Sequence, residues 1–173
     1  MKRFTQHLSA AALAISMVGA AQAADIVFIV DESGSMSGEH AWLGGMVTSL
    51  ESELIAAGET GNNYGLVGFG GNDVPGTYDP AHQHDVGGST MGSAAELSTA
   101  TGGLIANGGF EDGYSAINFA LSNYTFTSSA INFILITDED RDVTPGSSLS
   151  FPGMEAALAE AGVVLNAVVD VGV

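Results

Sequence analysis

The chain has 173 residues, with 20 acidic and 3 basic side chains, no cysteine and 46% hydrophobic residues, a composition typical of one globular domain rather than of a disordered chain. Lys2 and Arg3 lie at the start, so residues 24–173 carry 20 acids against one base, Arg141, a net charge of −19. The lack of Lys and Arg excludes the basic face that nucleic acids and anionic membranes require, and the lysine of a Walker phosphate loop. The absence of cysteine excludes thiol chemistry.

The N-terminus has the three parts of a secretory signal peptide. Met1-Lys2-Arg3 is a basic start, an apolar run covers about residues 11–20, and Ala21-Gln22-Ala23 is an A-x-A cleavage site. The run is too short for a typical membrane anchor, and no later segment is long and apolar enough to span a bilayer. We therefore expect residues 1–23 to be a signal peptide and residues 24–173 to be one exported domain, located in the periplasm, at the cell surface or outside the cell.

Four apolar runs predict strands. They cover residues 25–30, 64–69, 131–137 and 163–171, and the first and third end at the carboxylates Asp31 and Asp138. Continuous rather than alternating apolar runs are typical of strands buried on both faces of a parallel sheet.

Between these strands, apolar residues at three- and four-residue steps predict helices. Residues 42–54 form one that Gly58 can end, residues 93–106 a weak one, and a clearer one follows Gly113. Pro152 lies in the first turn of a fourth helix, which Gly162 can close. Residues 70–92 are rich in Gly, Asp, Pro and His without periodicity, which predicts a long surface loop. The helix-face residues are Trp42, Leu43, Met46, Val47, Leu50, Leu54, Ile117, Ala120, Leu121, Tyr124, Met154, Ala157, Leu158 and Ala161.

This element order predicts an α/β fold. We expect a doubly wound, Rossmann-like sandwich with a mostly parallel central sheet and helices on both faces, either as a small version or lacking the last helix and strand. In such sheets, ligands bind beyond the carboxyl ends of the strands, where Asp31 and Asp138 lie.

The segment that follows the first strand carries metal-ligand chemistry. In Asp31-Glu32-Ser33-Gly34-Ser35, one carboxylate and two hydroxyls occur at alternate positions, and a curled loop can bring them to one point. Carboxylate and hydroxyl oxygens are hard ligands, which favour Mg²⁺, Mn²⁺ or Ca²⁺.

At these residues the sequence resembles the von Willebrand factor type A (VWA) domains, including the inserted domains of integrins. Their metal-ion-dependent adhesion site (MIDAS) begins with D-x-S-x-S after the first strand, matched by Asp31, Ser33 and Ser35, and includes an aspartate that ends a later strand, matched by Asp138. The usual middle threonine is replaced by Glu111, six residues before the helical Ile117, as in integrin β-subunits. The resemblance covers residues 25–173.

The resemblance implies one divalent cation and a protein partner. Ser33, Ser35 and Glu111 would be direct or near-direct ligands, Asp31 and Asp138 would act directly or through water, and an Asp or Glu of the partner would complete the coordination. This predicts an exported, metal-dependent protein-binding module for adhesion or surface assembly. With a charge of −19, the partner is expected to be neutral or basic around one acidic contact. Glu111, as a third carboxylate, is expected to tighten metal binding and to weaken the attraction of the site for the partner's acidic residue.

Other chemistry-bearing residues favour plainer interpretations. The run His82-Gln83-His84-Asp85 has metal-ligand residue types, but no third ligand is evident, so a solvated loop is expected. Glu39 fits an acid in the first turn of a helix. Three acids near Asp138 are expected to form a solvated rim, with Asp140 as a candidate to reach the metal region: Glu139, Asp140 and Asp142.

Two alternatives remain. Asp31 and Asp138 also suit a metal-dependent phosphohydrolase of the aspartyl-phosphate type, but Ser33 stands where that class needs a second acid, and residues 24–173 contain no lysine. We therefore expect no enzyme. A structural VWA module with a vestigial metal site is the other alternative, and the intact Ser35 and its neighbouring motif residues argue against it.

Overall fold

A computed structural model describes residues 23–71 and 80–169. Nearly all of the predicted signal peptide and residues 170–173 lie outside the described residues, as do positions 72–79 of the predicted loop. The described elements are β1 (Ala24–Asp31), α1 (Ser37–Ala57), β2 (Asn63–Phe69), β3 (His82–Gln83), β4 (Met91–Gly92), α2 (Ala94–Ala100), α3 (Gly113–Asn123), β5 (Ala130–Thr137), α4 (Phe151–Ala161) and β6 (Val163–Val169).

The six described strands form one sheet in the order β3-β2-β1-β5-β6, with β4 also paired to β2. Strands β2, β1, β5 and β6 are parallel, and Phe28 at the centre of β1 pairs with Leu66 on one side and Ile134 on the other. Strands β3 and β4 are antiparallel to β2. The sheet is therefore mostly parallel, as predicted.

Helices cover both faces of this sheet. Val27 and Ile29 belong to a buried cluster with residues of α3 and α4, whereas Phe28 and Val30 belong to a second cluster with residues of α1 and α2. Alternate residues of a strand point to opposite faces, so a continuous apolar run fills two cores at once. The doubly wound α/β fold is confirmed.

The helix boundaries follow local sequence signals. Ser93 and Glu96 form a reciprocal capping box at the start of α2, and the Ser150 hydroxyl accepts a hydrogen bond from Gly153 N–H at the start of α4. Helices α1 and α4 end at Gly58 and Gly162, which adopt φ of +96° and +67°. That left-handed conformation favours glycine, so both predicted helix ends are met.

Two local predictions are wrong, and one helix is shorter than its predicted range. Helix α2 stops at Ala100 and continues only as a short 3₁₀ turn, because the Gly102-Gly103 pair interrupts it. Trp42 is 42% exposed, because the buried stripe of α1 runs through the next position, Leu43, and Val47. The predicted loop contains β3 and β4, whose two-residue length leaves no periodicity to detect.

Strand β6 is an edge of the described sheet, and its Val164, Val168 and Val169 side chains are about half exposed. Within residues 23–71 and 80–169, none of the helices combines the length and apolar character needed to cross a bilayer.

Candidate metal centre

Asp31 ends β1 as a fully buried carboxylate with a fixed orientation. Its Oδ1 accepts a hydrogen bond from Ser33 N–H at 2.8 Å, and its Oδ2 accepts one from the Thr137 hydroxyl at 2.8 Å. Its backbone carbonyl lies 2.7 Å from His40 Nε2. Hydrogen bonds from β5 and from the following loop therefore hold the Asp31 carboxylate at the carboxyl edge of the sheet.

Glu111 and Asp138 join Asp31 at this edge. One carboxylate oxygen from each of the three residues lies within 4.8 Å of the others. Glu111 is 3% exposed, and Glu111 Oε2 and Asp138 Oδ1 are buried with no hydrogen-bond partner among the described residues. Because buried polar groups without partners are costly, these two oxygens need a positive charge or a donor that the described residues do not supply.

The two serines of the motif lie along the same loop. Ser33 is buried, and its hydroxyl lies 3.1 Å from the hydroxyl of Ser35, whose residue is exposed. The structure thus brings the three predicted carboxylates together. The two predicted hydroxyls lie next to each other, that of Ser33 in a buried residue and that of Ser35 in an exposed one.

Burial and like charges destabilise the ionised carboxylates. Burial raises the pKa of Glu111 and the negative charge of Asp31 raises it further, to about 7, although hydrogen bonding from Ser33 opposes the shift. Burial also raises the pKa of Asp31, despite its hydrogen bonds from Ser33 and Thr137. A divalent cation would remove this repulsion, so the donor set and its charge fit a hard cation.

Glycines let three loops meet around the carboxylates. Gly70 has φ of +76°, and a Cβ there would lie 3.0 Å from Asp31 Oδ1. A Cβ on Gly108 would collide with the Gly70 carbonyl and lie 2.7 Å from Gly71 Cα. Gly34 N–H donates to the Gly108 carbonyl at 2.8 Å. Side chains at Gly70 and Gly108 would separate the loop of Glu111 from that of Asp31.

An ion pair that the sequence analysis missed anchors the Glu111 loop. Arg141 Nε lies 2.6 Å from Asp112 Oδ1, and Thr144 Oγ1 donates to Asp112 Oδ2 at 2.7 Å. Burial raises the pKa of Asp112, but Arg141 and the hydroxyl and N–H donors around it outweigh burial and hold it far below its usual range. The available signal was that Arg141 is the sole Lys or Arg of residues 24–173.

Of the three acidic residues that form the predicted rim after β5, two are simply exposed and one also contacts the Glu111 backbone. Glu139 and Asp140 are exposed, as a solvated rim requires. Asp142 is exposed too, but its Oδ2 accepts from Glu111 N–H at 3.3 Å and its N–H donates to the Glu111 carbonyl at 2.9 Å. Asp142 therefore helps to position Glu111. Glu39 lies in the first turn of α1, as predicted.

A second cluster lies beside the first. Glu32 is fully buried, and its two carboxylate oxygens lie 3.1 Å from His82 Nε2 and 3.1 Å from His84 Nε2. Burial raises the pKa of Glu32, but the two imidazoles and the Ile105 N–H lower it to about 2. The expectation of a solvated His82–His84 loop is therefore wrong, because β3 and the residue that follows it place both rings against a buried carboxylate 50 or more positions away in the sequence.

Comparisons with known proteins agree on the fold. No family model matches the chain, and no curated protein matches it. A structure of proximal thread matrix protein 1 from the mussel byssus is 20% identical, with a TM-score of 0.57, covering 87% of this chain and 36% of the mussel chain. Another structure of that protein, described as having a zinc-occupied MIDAS motif, is 19% identical over the same shares of both chains, with a TM-score of 0.54.

The pilus adhesin SpaC from Lactobacillus rhamnosus GG is also similar, at 16% identity and a TM-score of 0.59, covering 84% of this chain and 24% of that one. The chain thus spans about a third or less of the length of these proteins. Identities this low show a shared fold. None of these findings gives positive evidence of catalysis.

Proposed function

We propose that the chain is an exported, cation-dependent protein-binding module that acts in adhesion or surface assembly. Its metal ligands would be Asp31, Ser33, Ser35, Glu111 and Asp138. The observation that carries the proposal is the pair of buried carboxylate oxygens without partners, Glu111 Oε2 and Asp138 Oδ1, beside the buried Asp31.

The ligand atoms define the class of cation. Carboxylate and hydroxyl oxygens favour Mg²⁺, Mn²⁺ or Ca²⁺ over softer metals. When bound, the cation would offer an open coordination position to an Asp or Glu of a partner protein. Thr137 and the Ser33 N–H hold the Asp31 carboxylate in place beforehand, and Asp142 holds the Glu111 backbone. This preorganisation reduces the ordering that binding would otherwise require.

The negative charge around the site limits which partner proteins it can bind. Arg141 compensates Asp112, so the carboxylates that remain for the metal are Asp31, Glu111 and Asp138. Three negative charges around a divalent cation leave a net charge of about −1, and residues 24–173 carry −19 in total. A partner that is neutral or basic around a single coordinating acid is therefore favoured.

Export and surface assembly are supported by two independent features. Residues 1–23 have the three parts of a signal peptide. The similar folds belong to a byssus matrix protein and a pilus adhesin, both named for roles outside the cell. Their roles are extended to this chain as part of the proposal.

The test is cross-linking of the purified protein to envelope and surface proteins of its own cells, in Mg²⁺ and in EDTA. We expect specific partners in Mg²⁺, lost in EDTA and in Glu111→Ala, and kept in Glu53→Gln, which removes the charge of an exposed acid on α1. Identical partners with and without metal would contradict a cation-dependent role. They would favour a structural module with an inactive site.

A further inference from the structure

We propose that Glu32, His82 and His84 form a second metal site, for a borderline transition metal such as Zn²⁺. One potential ligand atom from each residue lies within 4.8 Å of the other two. Two imidazoles and one carboxylate suit zinc and similar ions, whereas the all-oxygen set at Asp31 suits harder cations. This inference does not depend on the proposed function of the Asp31 site.

The backbone aligns the three side chains. Glu32 N–H donates to the Phe69 carbonyl at 2.7 Å, a hydrogen bond of the Asp31–Phe69 pair that ends the ladder between β1 and β2. His82 pairs with Gly68 across β3 and β2, and His84 N–H donates to the Leu66 carbonyl at 2.9 Å. His82 and His84 are two positions apart, so their side chains point to the same side, where the ring centroids are 4.9 Å apart.

The distances between the three side chains suit the binding of one shared metal ion. Glu32 lies 3.1 Å from the Nε2 atom of each histidine, through one oxygen to His82 and the other to His84. Atoms that bind one zinc ion at about 2 Å lie roughly 3–4 Å from one another in tetrahedral geometry. Small side-chain rotations would therefore place an ion between the three groups.

A buried oxygen supplies a second, independent observation. Glu32 is fully buried, and its Oε2 has no hydrogen bond of good geometry among the described residues, although His82 Nε2 is 3.1 Å away. Glu32 Oε1, in contrast, accepts from Ile105 N–H at 3.0 Å and contacts His84. The Ile105 contact helps to fix the carboxylate, and Oε2 faces His82 Nε2.

The backbone around Glu32 also leaves room for this cluster. A Cβ on Gly68 would collide with the Glu32 carboxylate and come within 2.8 Å of His84 Nε2, and a Cβ on Gly71 would lie 2.8 Å from Glu32 Cβ. The His82 side chain is 43% exposed and that of His84 16% exposed. A bound ion would therefore have a buried anchor and a side open to solvent, where a fourth ligand such as water can enter.

The test is zinc binding by the purified chain without a histidine tag, measured by competition with a chromophoric chelator in saturating Mg²⁺. The Mg²⁺ occupies hard-cation sites. We expect one tight zinc equivalent that Asp31→Asn and Gln83→Ala retain. Gln83 lies between the two histidines and is exposed, so it is the matched control.

The histidine variants decide the outcome. Changing even an outer-shell partner weakens metal binding 10- to 100-fold, so His82→Ala and His84→Ala should each weaken zinc binding by about 100-fold or more. His82 is part-exposed, so its variant is expected to fold, which circular dichroism checks. Bound Co²⁺ should show visible absorption bands that both variants lose. Zinc affinity unchanged in both variants, no tight zinc binding, or zinc displaced by Mg²⁺ and lost in Asp31→Asn would overturn the second site.

Discussion

Asp31 and Glu32 are consecutive, fully buried carboxylates that belong to two different clusters of potential metal ligands. Asp31 is an even number of positions from Val27 and Ile29, whose cluster includes residues of α3. It lies close to Glu111, which comes just before that helix. Glu32, one position later, has its side chain on the other side of the chain and contacts the two histidines on the far side of β2. The alternation of an extended chain thus separates two neighbouring acids.

The two clusters differ in their donors and therefore in the metals they favour. Asp31, Glu111 and Asp138 offer oxygen alone, whereas His82 and His84 contribute ring nitrogens. A hard cation at the first cluster and a borderline ion at the second would not compete strongly for the same place. Each cluster can therefore be tested with the other one occupied.

Replacing Glu111 by threonine should weaken cation binding. The change removes one of three carboxylates that face the ion and introduces the residue usual in similar MIDAS sequences. We expect a higher Kd for Mg²⁺ in Glu111→Thr than in the wild type, measured by isothermal titration calorimetry, with Glu53→Gln on α1 as the exposed control. Tighter Mg²⁺ binding by Glu111→Thr would refute the proposed role of the third carboxylate.

Without metal, ionised Glu111 should destabilise the protein at neutral pH and above, relative to acidic pH. Its folded pKa of about 7 exceeds the ordinary value of 4.5, so the folded state binds more protons than the unfolded state between these values. Stability should therefore fall as pH rises through this window, by roughly 3 kcal/mol.

Urea unfolding in EDTA at a series of pH values measures this effect. The isosteric variant Glu111→Gln removes the titrating group, so it should unfold at higher urea than the wild type at pH 8 and lose that advantage near pH 4. A difference between the two proteins that does not vary with pH would show that Glu111 is not strained in the folded state.

Asp25 should stabilise the start of β1 through its charge. It is fully buried and accepts hydrogen bonds from Thr127 N–H at 2.5 Å, Ser128 N–H at 2.7 Å and the Asn63 amide at 3.2 Å. Burial raises its pKa, but these donors outweigh burial and lower it below 3.8. Asp25→Asn should cost about 2 kcal/mol at pH 7, because hydrogen bonds to charged groups contribute about 1.5–3 kcal/mol.

The sign of the pH dependence is opposite to that of Glu111. Because its folded pKa is lowered, the contribution of Asp25 is present above pH 4 and is lost as pH falls through the folded value. Urea unfolding of Asp25→Asn, in parallel with the exposed helix variant Glu53→Gln, measures it. A wild-type advantage that persists undiminished at pH 2 would contradict this account.

Two adjacent glycines of α1 should respond oppositely to alanine. A Cβ on Gly45 meets nothing within 4 Å, so Gly45→Ala should stabilise the helix by about 0.5–1 kcal/mol. A Cβ on Gly44 would lie 3.0 Å from Thr101 Oγ1 and 3.1 Å from the Ser98 carbonyl, where α1 packs against α2. Gly44→Ala should therefore destabilise the protein. Equal thermal shifts for the two variants would show that this helix contact is not close.

Much of the fold was predictable because the signals are local. The apolar run that contains Phe28 indicates a strand buried on both faces, and Gly58 and Gly162 mark helix ends. Asp138 could be placed near Asp31 because parallel strands share a carboxyl edge. Glu111 came from resemblance to a known motif, since nothing in its immediate sequence indicates a ligand.

The Glu32 cluster was not predictable from local patterns. Strand β3 has two residues, too short for any hydrophobic period, and it pairs antiparallel to β2 within a Gly-rich segment. His82 and His84 therefore meet Glu32 only through tertiary structure, 50 and 52 positions away. Trp42 shows the same limit in a helix, because its spacing fits the apolar face but the packing of Leu43 sets which side is buried.

The central claim is tested most directly by the thermal unfolding of the purified protein in EDTA and then in Mg²⁺, Mn²⁺ or Ca²⁺, beside Asp31→Ala. A cation at about 100 times its Kd adds about 2.7 kcal/mol, which raises Tm by several degrees in a domain of this size. We predict that at least one of these cations raises the Tm of the wild type and leaves that of Asp31→Ala unchanged. If no cation shifts the wild type, or if both proteins shift equally, the Asp31 cluster is not a metal-binding site.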